Sequence, residues 1–268
     1  MSVQALYSAA AGMSSMETKL DVIANNLANI ETTAFKRSRP NFEDLFYRHE
    51  VLPGAEDSTG NYTATGTSIG LGSKVSSIQA ELRQGAFKAT NRSLDVAIEG
   101  QGFFTVLDPA TSEMQYTRAG NFSVNANGEL VLGSASTGRL LQPPISLPED
   151  TLDIVISAQG QVSVRQPGNQ QLTQVGEIEL ATFVNPEGLL RLGENLLAET
   201  DASGPATNGP PGESGMGVLR QGSLEASNVE PVAELIDLIT TQRAFELNSQ
   251  AVQVGDEIMQ VVANLRRI

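Results

Sequence analysis

The chain contains no cysteine, no tryptophan and only one histidine, and these absences exclude several classes of protein. Without cysteine there is no disulfide framework, no thiolate zinc site and no cysteine nucleophile. The single histidine, His49, is too few for a histidine-based metal cluster. Aromatic residues make up only 5% of the chain, which argues against a broad aromatic binding platform. The formal net charge of −14 argues against binding to nucleic acid or to anionic membranes.

Targeting and membrane-spanning signals are also missing. The first basic residue is Lys19, and residues 1–20 contain no unbroken apolar run, so we expect no cleavable signal peptide. No stretch approaches the roughly 18 uncharged apolar residues of a membrane span. We therefore expect no membrane span, and any passage out of the cytoplasm would use another export route.

Glycine and proline are scarce at both ends of the chain. Residues 1–39 and 232–268 contain no proline and only two glycines, Gly12 and Gly255, whereas the middle holds all 12 prolines. Because proline and glycine break helices and populate turns, this distribution predicts two helical ends around a turn-rich middle. The length of 268 residues allows one large domain or two small ones.

The N-terminal segment carries an apolar stripe whose spacings alternate between three and four residues. This is the a/d pattern of a heptad repeat, which predicts a coiled-coil helix. We expect the helix to end near residues 32–35, so that Lys36, Arg37 and Arg39 place positive charge near its C-terminus. The stripe consists of Leu6, Ala9, Met13, Met16, Leu20, Ile23, Leu27 and Ile30.

The C-terminal segment carries a similar stripe, preceded by a shorter one in a different phase. Asn228 is the predicted N-cap of this helix, and Pro231 lies in its first turn. Two helices pairing in one ordinary domain would also show such stripes, but both are narrow, and self-assembly would cover their remaining surface. The long stripe consists of Leu247, Ala251, Val254, Ile258, Val261, Leu265 and Ile268, and the short one of Val232, Leu235, Ile236 and Ile239.

The middle of the chain has the alternation and the turn residues of antiparallel strands. Asn127 and Gly128 supply the turn of one predicted hairpin, and Gln159 and Gly160 that of a second. A further strand is predicted over residues 176–184. The predicted fold class is therefore α+β, with long N- and C-terminal helices pairing as a coiled coil and a mostly antiparallel β middle domain.

No group of residues forms a recognisable catalytic, metal or phosphate site. His49 lies in a polar connection with no nucleophile motif beside it, and adjacent acids such as Glu149 and Asp150 are expected on solvated surfaces. Gly100 and Gly102 lack the third glycine of a dinucleotide-binding loop. We therefore predict that the protein is not an enzyme and uses no cofactor and no metal.

Five segments resemble the signatures of one known family and follow one another in the family's order. They are residues 21–36, which include ANNLAN and TTAFK, and residues 95–104, 116–122, 221–229 and 242–248. In these segments the chain resembles the bacterial flagellar basal-body rod and hook proteins. Its length and residues 41–47 are most similar to distal rod proteins of that family. A proximal rod protein is the alternative within the family, and a soluble β-rich binding module is the alternative outside it.

The resemblance implies a structural subunit that assembles into a hollow helical drive shaft and transmits motor torque across the periplasm to the hook. It implies four parts: a helix over 1–39, a rod-specific extended connection over 40–75, a β-rich middle domain over 76–225 and a helix over 226–268. The implied partners are other copies of the chain, neighbouring rod and hook proteins, the P-ring and L-ring proteins and the flagellar type III export apparatus. The implied location is the basal-body rod, reached without a cleaved signal peptide.

The helical spacing and the resemblance together assign two sets of residues to assembly. The predicted subunit interface of the inner tube consists of Leu6, Met13, Leu20, Ile23, Asn25, Asn26, Leu27, Asn29, Ile30, Leu247, Val254, Ile258, Val261 and Leu265. The predicted rod-stiffening segment contains Phe42, Leu45, Phe46, Tyr47, Pro53 and Gly54.

Overall fold

The computed structural model of the chain describes residues 3–54, 56, 60, 62, 64–133, 137–168 and 171–265. The chain divides into two compact units. The first comprises Met1–Ala28, Ser38–Ala80 and Glu230–Ile268, and the second comprises Asn29–Arg37 and Glu81–Val229. Both terminal helices form, and every strand pair in the described residues is antiparallel, so the predicted α+β class is confirmed.

In the described residues, the first unit contains both helices and four strands. The elements are α1 (Val3–Ala28), β1 (Ser38–Asp44), β2 (Tyr47–Val51), β3 (Thr67–Gly70), β4 (Ser73–Ala80) and α2 (Pro231–Leu265). Strand β1 pairs with β4, and β2 pairs with β3, so residues predicted as an extended connection form two antiparallel pairs.

Helix α1 ends at Ala28, a few residues earlier than predicted. In the residues that follow, the Thr32 N–H donates to the Asn29 carbonyl oxygen at 3.2 Å, and Ala34 has a φ of 56°. A turn and a left-handed residue are incompatible with continued helix. At the other end of the chain, α2 begins at Pro231, where a proline without an N–H costs the helix nothing.

The second unit is built almost entirely of short strands. The strands described there are β5 (Phe87–Ala89), β6 (Val96–Glu99), β7 (Phe103–Leu107), β8 (Met114–Thr117), β9 (Phe122–Val124), β10 (Leu130–Leu132), β11 (Leu140–Gln142), β12 (Asp153–Ile156), β13 (Gln161–Arg165), β14 (Thr173–Glu177), β15 (Leu180–Thr182), β16 (Leu190–Gly193), β17 (Leu196–Ala198), β18 (Thr207–Gly209), β19 (Val218–Gln221) and β20 (Ser223–Glu225), and a short 3-10 helix covers Pro186–Gly188. One nine-stranded sheet has the order β16-β17-β8-β7-β11-β10-β9, with β15 pairing to β7 and β18 pairing to β15. The remaining strands form the sheets β12-β13-β14, β19-β6 and β20-β5.

The two predicted hairpins are confirmed. Strands β9 and β10 pair across Asn127 and Gly128, and β12 and β13 pair across Gln159 and Gly160. Both glycines have positive φ, which a turn this tight requires. The strand predicted over residues 176–184 is wrong as a single element, because the chain forms β14 and β15 there and these strands belong to different sheets.

The apolar core of the second unit lies between these strands. The Phe104 and Phe122 rings meet edge to face, with their centroids 5.1 Å apart. Around them are fully buried aliphatic side chains, among them Ile98, Leu130, Leu141, Ile145, Ile178 and Leu180. Burial of this kind supplies the main favourable term in folding, so this unit has a core of its own.

Candidate assembly surfaces

The two helices pack against each other in the first unit. The Asn26 side chain donates to Glu234, Gly12 approaches the Asn248 side chain, and Gly255 approaches Leu6. As the position on α1 rises from 6 to 26, its partner on α2 falls from 255 to 234, so the helices are antiparallel. The two glycines allow close approach, because a Cβ at Gly255 would overlap the Leu6 side chain.

Most of the predicted interface residues of α1 are at least half-buried within the unit. Ile23 and Asn26 are buried, whereas Asn25 is exposed. Asn29 and Ile30 follow the end of α1 and belong to the second unit, where both are half-buried. The half-buried residues of the predicted set on α1 are Leu6, Met13, Leu20 and Leu27.

The face of α2 that packs on α1 differs from the stripes found in the sequence. Glu234, Asn248 and Gly255 make the contacts described above, and buried or half-buried residues recur on the same face at spacings of four and three. We call this set the inner face of α2. It consists of Glu234, Leu238, Thr241, Phe245, Asn248, Val252 and Gly255. The sequence did not indicate this face, because every other position in it is polar or glycine.

Within the two C-terminal stripes, Ala251 is half-buried and Ile268 lies outside the described residues. The other described residues of these stripes are exposed, with exposed fractions from 38% for Ile258 to 69% for Val232. We call this set the outer face of α2; it consists of Val232, Leu235, Ile236, Ile239, Leu247, Val254, Ile258 and Val261. The Leu265 side chain, which the sequence also assigns to the interface, lies outside the described residues. Apolar surface of this extent on one helix marks an interaction site.

The predicted rod-stiffening segment begins in β1 and continues through β2. Phe46 is 87% exposed, and Phe42 and Tyr47 are also exposed. Leu45 is half-buried, and its N–H donates to the Gly72 carbonyl oxygen at 2.8 Å. Pro53 and Gly54 form an exposed turn after β2. The backbone of this segment is therefore paired within the unit while its aromatic side chains are free to contact a partner.

Asn26 connects three segments of the first unit. Its Nδ2 donates to the Ser38 carbonyl oxygen at 2.9 Å, and its Oδ1 accepts the Ser38 N–H at 2.9 Å. The same Nδ2 donates to Glu234 Oε2 at 3.3 Å. Asn26 and Glu234 are each only 1% exposed. One side chain of α1 thus holds the first residue of β1 and the first turn of α2.

The second unit contains a buried ion network that the sequence did not reveal. Lys36 was expected to place its charge near the end of a helix, but its Nζ lies 2.5 Å from Glu225 Oε1 and the side chain is 7% exposed. Arg118 Nε binds the other Glu225 oxygen at 2.9 Å. Burial lowers the Lys36 pKa and the Arg118 charge lowers it further, whereas the Glu225 carboxylate opposes both effects. All three residues fall within the family-like segments, but sequence position alone does not show that they meet.

Asn228, the predicted N-cap, lies three residues before α2 and has a different role. Its Oδ1 accepts the Arg37 N–H at 2.7 Å, and its Nδ2 donates to the carbonyl oxygens of Glu81 and Arg83. This side chain therefore satisfies backbone groups of two separate segments of the second unit. Losing these part-buried bonds would cost stability, because three backbone groups would lose this partner.

No arrangement of side chains in the described residues suggests chemistry. His49 is exposed on β2. Among the residues described, no three or more histidine, aspartate or glutamate side chains are placed to hold a metal ion. A cleft of about 410 Å³ in the second unit includes Glu149 and Asp153, but Asp153 is already paired with Arg165. None of the described helices is long and apolar enough to span a membrane.

The chain is similar in sequence to known flagellar proteins over nearly its whole length. Three family models match: the flagella basal body rod protein family over residues 6–36, the flagellar hook protein FlgE/F/G D1 domain over 97–164, and the flagellar basal body rod FlgEFG protein C-terminal family over 220–265. The flagellar basal-body rod protein FlgG of Caulobacter vibrioides is 44% identical over 98% of this chain and 100% of its own. Those of Borreliella burgdorferi and Bacillus subtilis are 41% and 38% identical, each over 99% of this chain and 99% and 100% of their own. The chain therefore belongs to the FlgG family of flagellar basal-body rod proteins and is a structural subunit of the distal rod, not an enzyme.

Proposed function

We propose that copies of the chain polymerise into a hollow helical shaft that transmits motor torque across the periplasm to the hook. The observation that carries the proposal is the outer face of α2, which stays exposed although α1 already covers the inner face. Burying this apolar surface against other copies would supply the driving force for assembly. The exposed predicted residues of α2, together with the exposed Asn25 of α1, would line these contacts.

The way in which copies of the chain bind to the outer face of α2 determines whether they form a polymer. If the outer face of α2 on one copy binds a different surface on the next, each copy leaves one surface of each kind available. A contact of this head-to-tail type that does not close into a ring generates a helical filament. In this filament the helices would pair as a coiled coil and form the inner tube, as the parts assigned to 1–39 and 226–268 require. The exposed aromatic residues of 40–75 would brace neighbouring copies and stiffen the shaft.

The same proposal names further partners. Neighbouring rod and hook proteins would cap the two ends of the shaft, and the P-ring and L-ring proteins would surround it. The net charge of −14 suits a surface that has to stay soluble and turn within such rings. The flagellar type III export apparatus would deliver the chain to the growing rod.

The experiment tests the outer face of α2 directly. Ile258→Asp places a charge in that face, and because Ile258 is exposed we expect α2 to form normally while polymerisation fails. Gln242→Asp, at an exposed polar position between the inner and outer faces of the same helix, is the matched control and should still polymerise. Electron microscopy of the purified proteins, together with motility of a rod-deficient bacterium that carries each variant, gives the result. Tubes and full motility from Ile258→Asp would show that this face does not mediate assembly.

A further inference from the structure

The apolar spacing of the two helices does not by itself define how they pair. Both the stripe of α1 and the inner face of α2 repeat every seven residues, so a shift by one heptad again brings apolar positions opposite apolar positions. Such a shift moves one helix by about 10 Å along the other. Repeats of this kind select one register through a few polar or size-matched contacts.

Three contacts between α1 and α2 distinguish the observed register from the two registers that are shifted by one heptad. A shift that moves each α1 residue seven positions toward the start of α2 would place Leu6 against Asn248 instead of Gly255. It would also place Gly12 against Thr241 instead of Asn248. The opposite shift would bring Gly12 against Gly255 and leave a gap, and it would bring Asn26 against Thr241 instead of Glu234. Each shifted register therefore combines a steric or packing mismatch with the loss of the Asn26–Glu234 hydrogen bond.

The Asn26–Glu234 hydrogen bond makes the largest contribution to the free-energy difference between the observed and the shifted registers. Both side chains are buried, and the Asn26 amide is already committed to the backbone N–H and carbonyl oxygen of Ser38. The amide therefore has one direction left for its second hydrogen, and that direction meets Glu234. Taking one hydrogen-bond donor away from a buried carboxylate costs more than exchanging one apolar contact for another.

We infer that Asn26, held by Ser38 and bonded to Glu234, is the residue that sets the register of α1 against α2 and, through the same amide, the position at which β1 begins. This role is internal to one chain and does not depend on the proposed polymer. Of the two adjacent asparagines in the sequence ANNLAN, the inference assigns the role to Asn26 and not to the exposed Asn25.

Disulfide trapping reports the register, because the chain has no cysteine of its own. Gly12→Cys with Asn248→Cys should cross-link in the observed register, since a Cβ at Gly12 lies 3.4 Å from the Asn248 Cγ. Gly12→Cys with Thr241→Cys should cross-link only after a shift of one heptad. We expect the purified full chain to form the first cross-link and to form little of the second.

Four variants are compared in these two cysteine backgrounds: two that break the Asn26–Glu234 pair, one that partly repairs it and one control. Asn26→Leu with Glu234→Leu replaces the polar pair by apolar residues. It should raise the yield of the cross-link between positions 12 and 241 about tenfold relative to the native one, the size of a coupling between contacting residues. Asn25→Leu, the matched control, should leave the pattern unchanged. Asn26→Asp sets a carboxylate against both Glu234 and the Ser38 carbonyl oxygen, so it should remove most of the native cross-link. Adding Glu234→Gln removes one of these two repulsions and should restore part of the cross-link. A purely native pattern in the double-leucine variant, or in Asn26→Asp, would overturn the inference.

Discussion

Glu225 Oε1 and Lys36 Nζ lie 2.5 Å apart although 189 residues separate them in the sequence. The Glu225 carbonyl oxygen also accepts the Ala34 N–H at 2.8 Å, so both the side chain and the backbone of this residue hold the segment Asn29–Arg37 in the second unit. Arg118, which directly follows β8, completes the network at 2.9 Å from the other carboxylate oxygen. Glu225 thus joins three segments of the unit that are far apart in the sequence.

Removing the Glu225 charge should strongly destabilise the second unit. Glu225→Gln leaves two cations, Lys36 and Arg118, buried without a counter-ion, and breaking a buried ion pair in this way typically costs about 3–5 kcal/mol. We expect the urea midpoint of the β-rich unit, followed by circular dichroism, to fall accordingly. Glu177→Gln, at an exposed position on β14, is the control and should leave the midpoint unchanged. Equal midpoints for the two variants would mean that the network contributes little to stability.

The features that sequence analysis predicted are local ones. The two helices follow from heptad spacing and from the scarcity of glycine and proline in the end segments. The hairpin turns follow from Gly128 and Gly160, because the positive φ of a tight turn selects glycine within a few residues of sequence. Each of these signals can be recognised without knowing what the segment contacts.

The features that it missed depend on partners distant in the sequence. From the sequence alone, Lys36 is expected to be a surface cation and Glu234 a solvated acid. Both are buried in the fold, where Lys36 pairs with Glu225 and Glu234 accepts a hydrogen bond from Asn26. For the same reason the inner face of α2 was overlooked: a polar residue is normally excluded from a predicted core, and only its hydrogen-bond partner makes burial acceptable. The apolar stripe that was recognised on α2 is the exposed one, which we propose serves the contacts between copies.

Gly120 should not tolerate even a methyl group. A Cβ at this position would overlap the Val96 carbonyl oxygen and press against the Phe104 ring. Gly120→Ala therefore forces a shift of backbone or core and should cost about 1–3 kcal/mol or more. Gly138→Ala provides the control, because nothing lies within 4 Å of its added Cβ, and its stability should change by less than about 1 kcal/mol. Thermal unfolding of both variants tests this, and a Gly120→Ala protein as stable as the wild type would contradict the close approach.

The exposed aromatic residues of β2 and the preceding turn should affect the polymer and not the isolated chain. Phe46→Ser combined with Tyr47→Ser removes two exposed rings, so we expect the unfolding transition of the purified chain to stay where it is. If these rings brace neighbouring copies, rods built from the variant should bend more under electron microscopy and motility should fall. Arg48→Gln, which alters an exposed charge on the same strand, serves as the control. If rods built from the variant were as stiff as wild-type rods, these aromatic residues would not brace neighbouring copies.

A substitution at Leu27 should prevent assembly, which depends on the first unit, without unfolding the second unit. It is half-buried near the end of α1, so Leu27→Asp places a charge where the helices pack and should disturb the helix pair. The β-rich unit has a separate core and its own ion network, so its unfolding transition should persist while polymers and motility are lost. Leu27→Met, which conserves volume and polarity, should polymerise normally. If Leu27→Asp also abolished the transition of the β-rich unit, the two units would fold as one cooperative body; if it polymerised like the wild type, α1 would have no part in assembly.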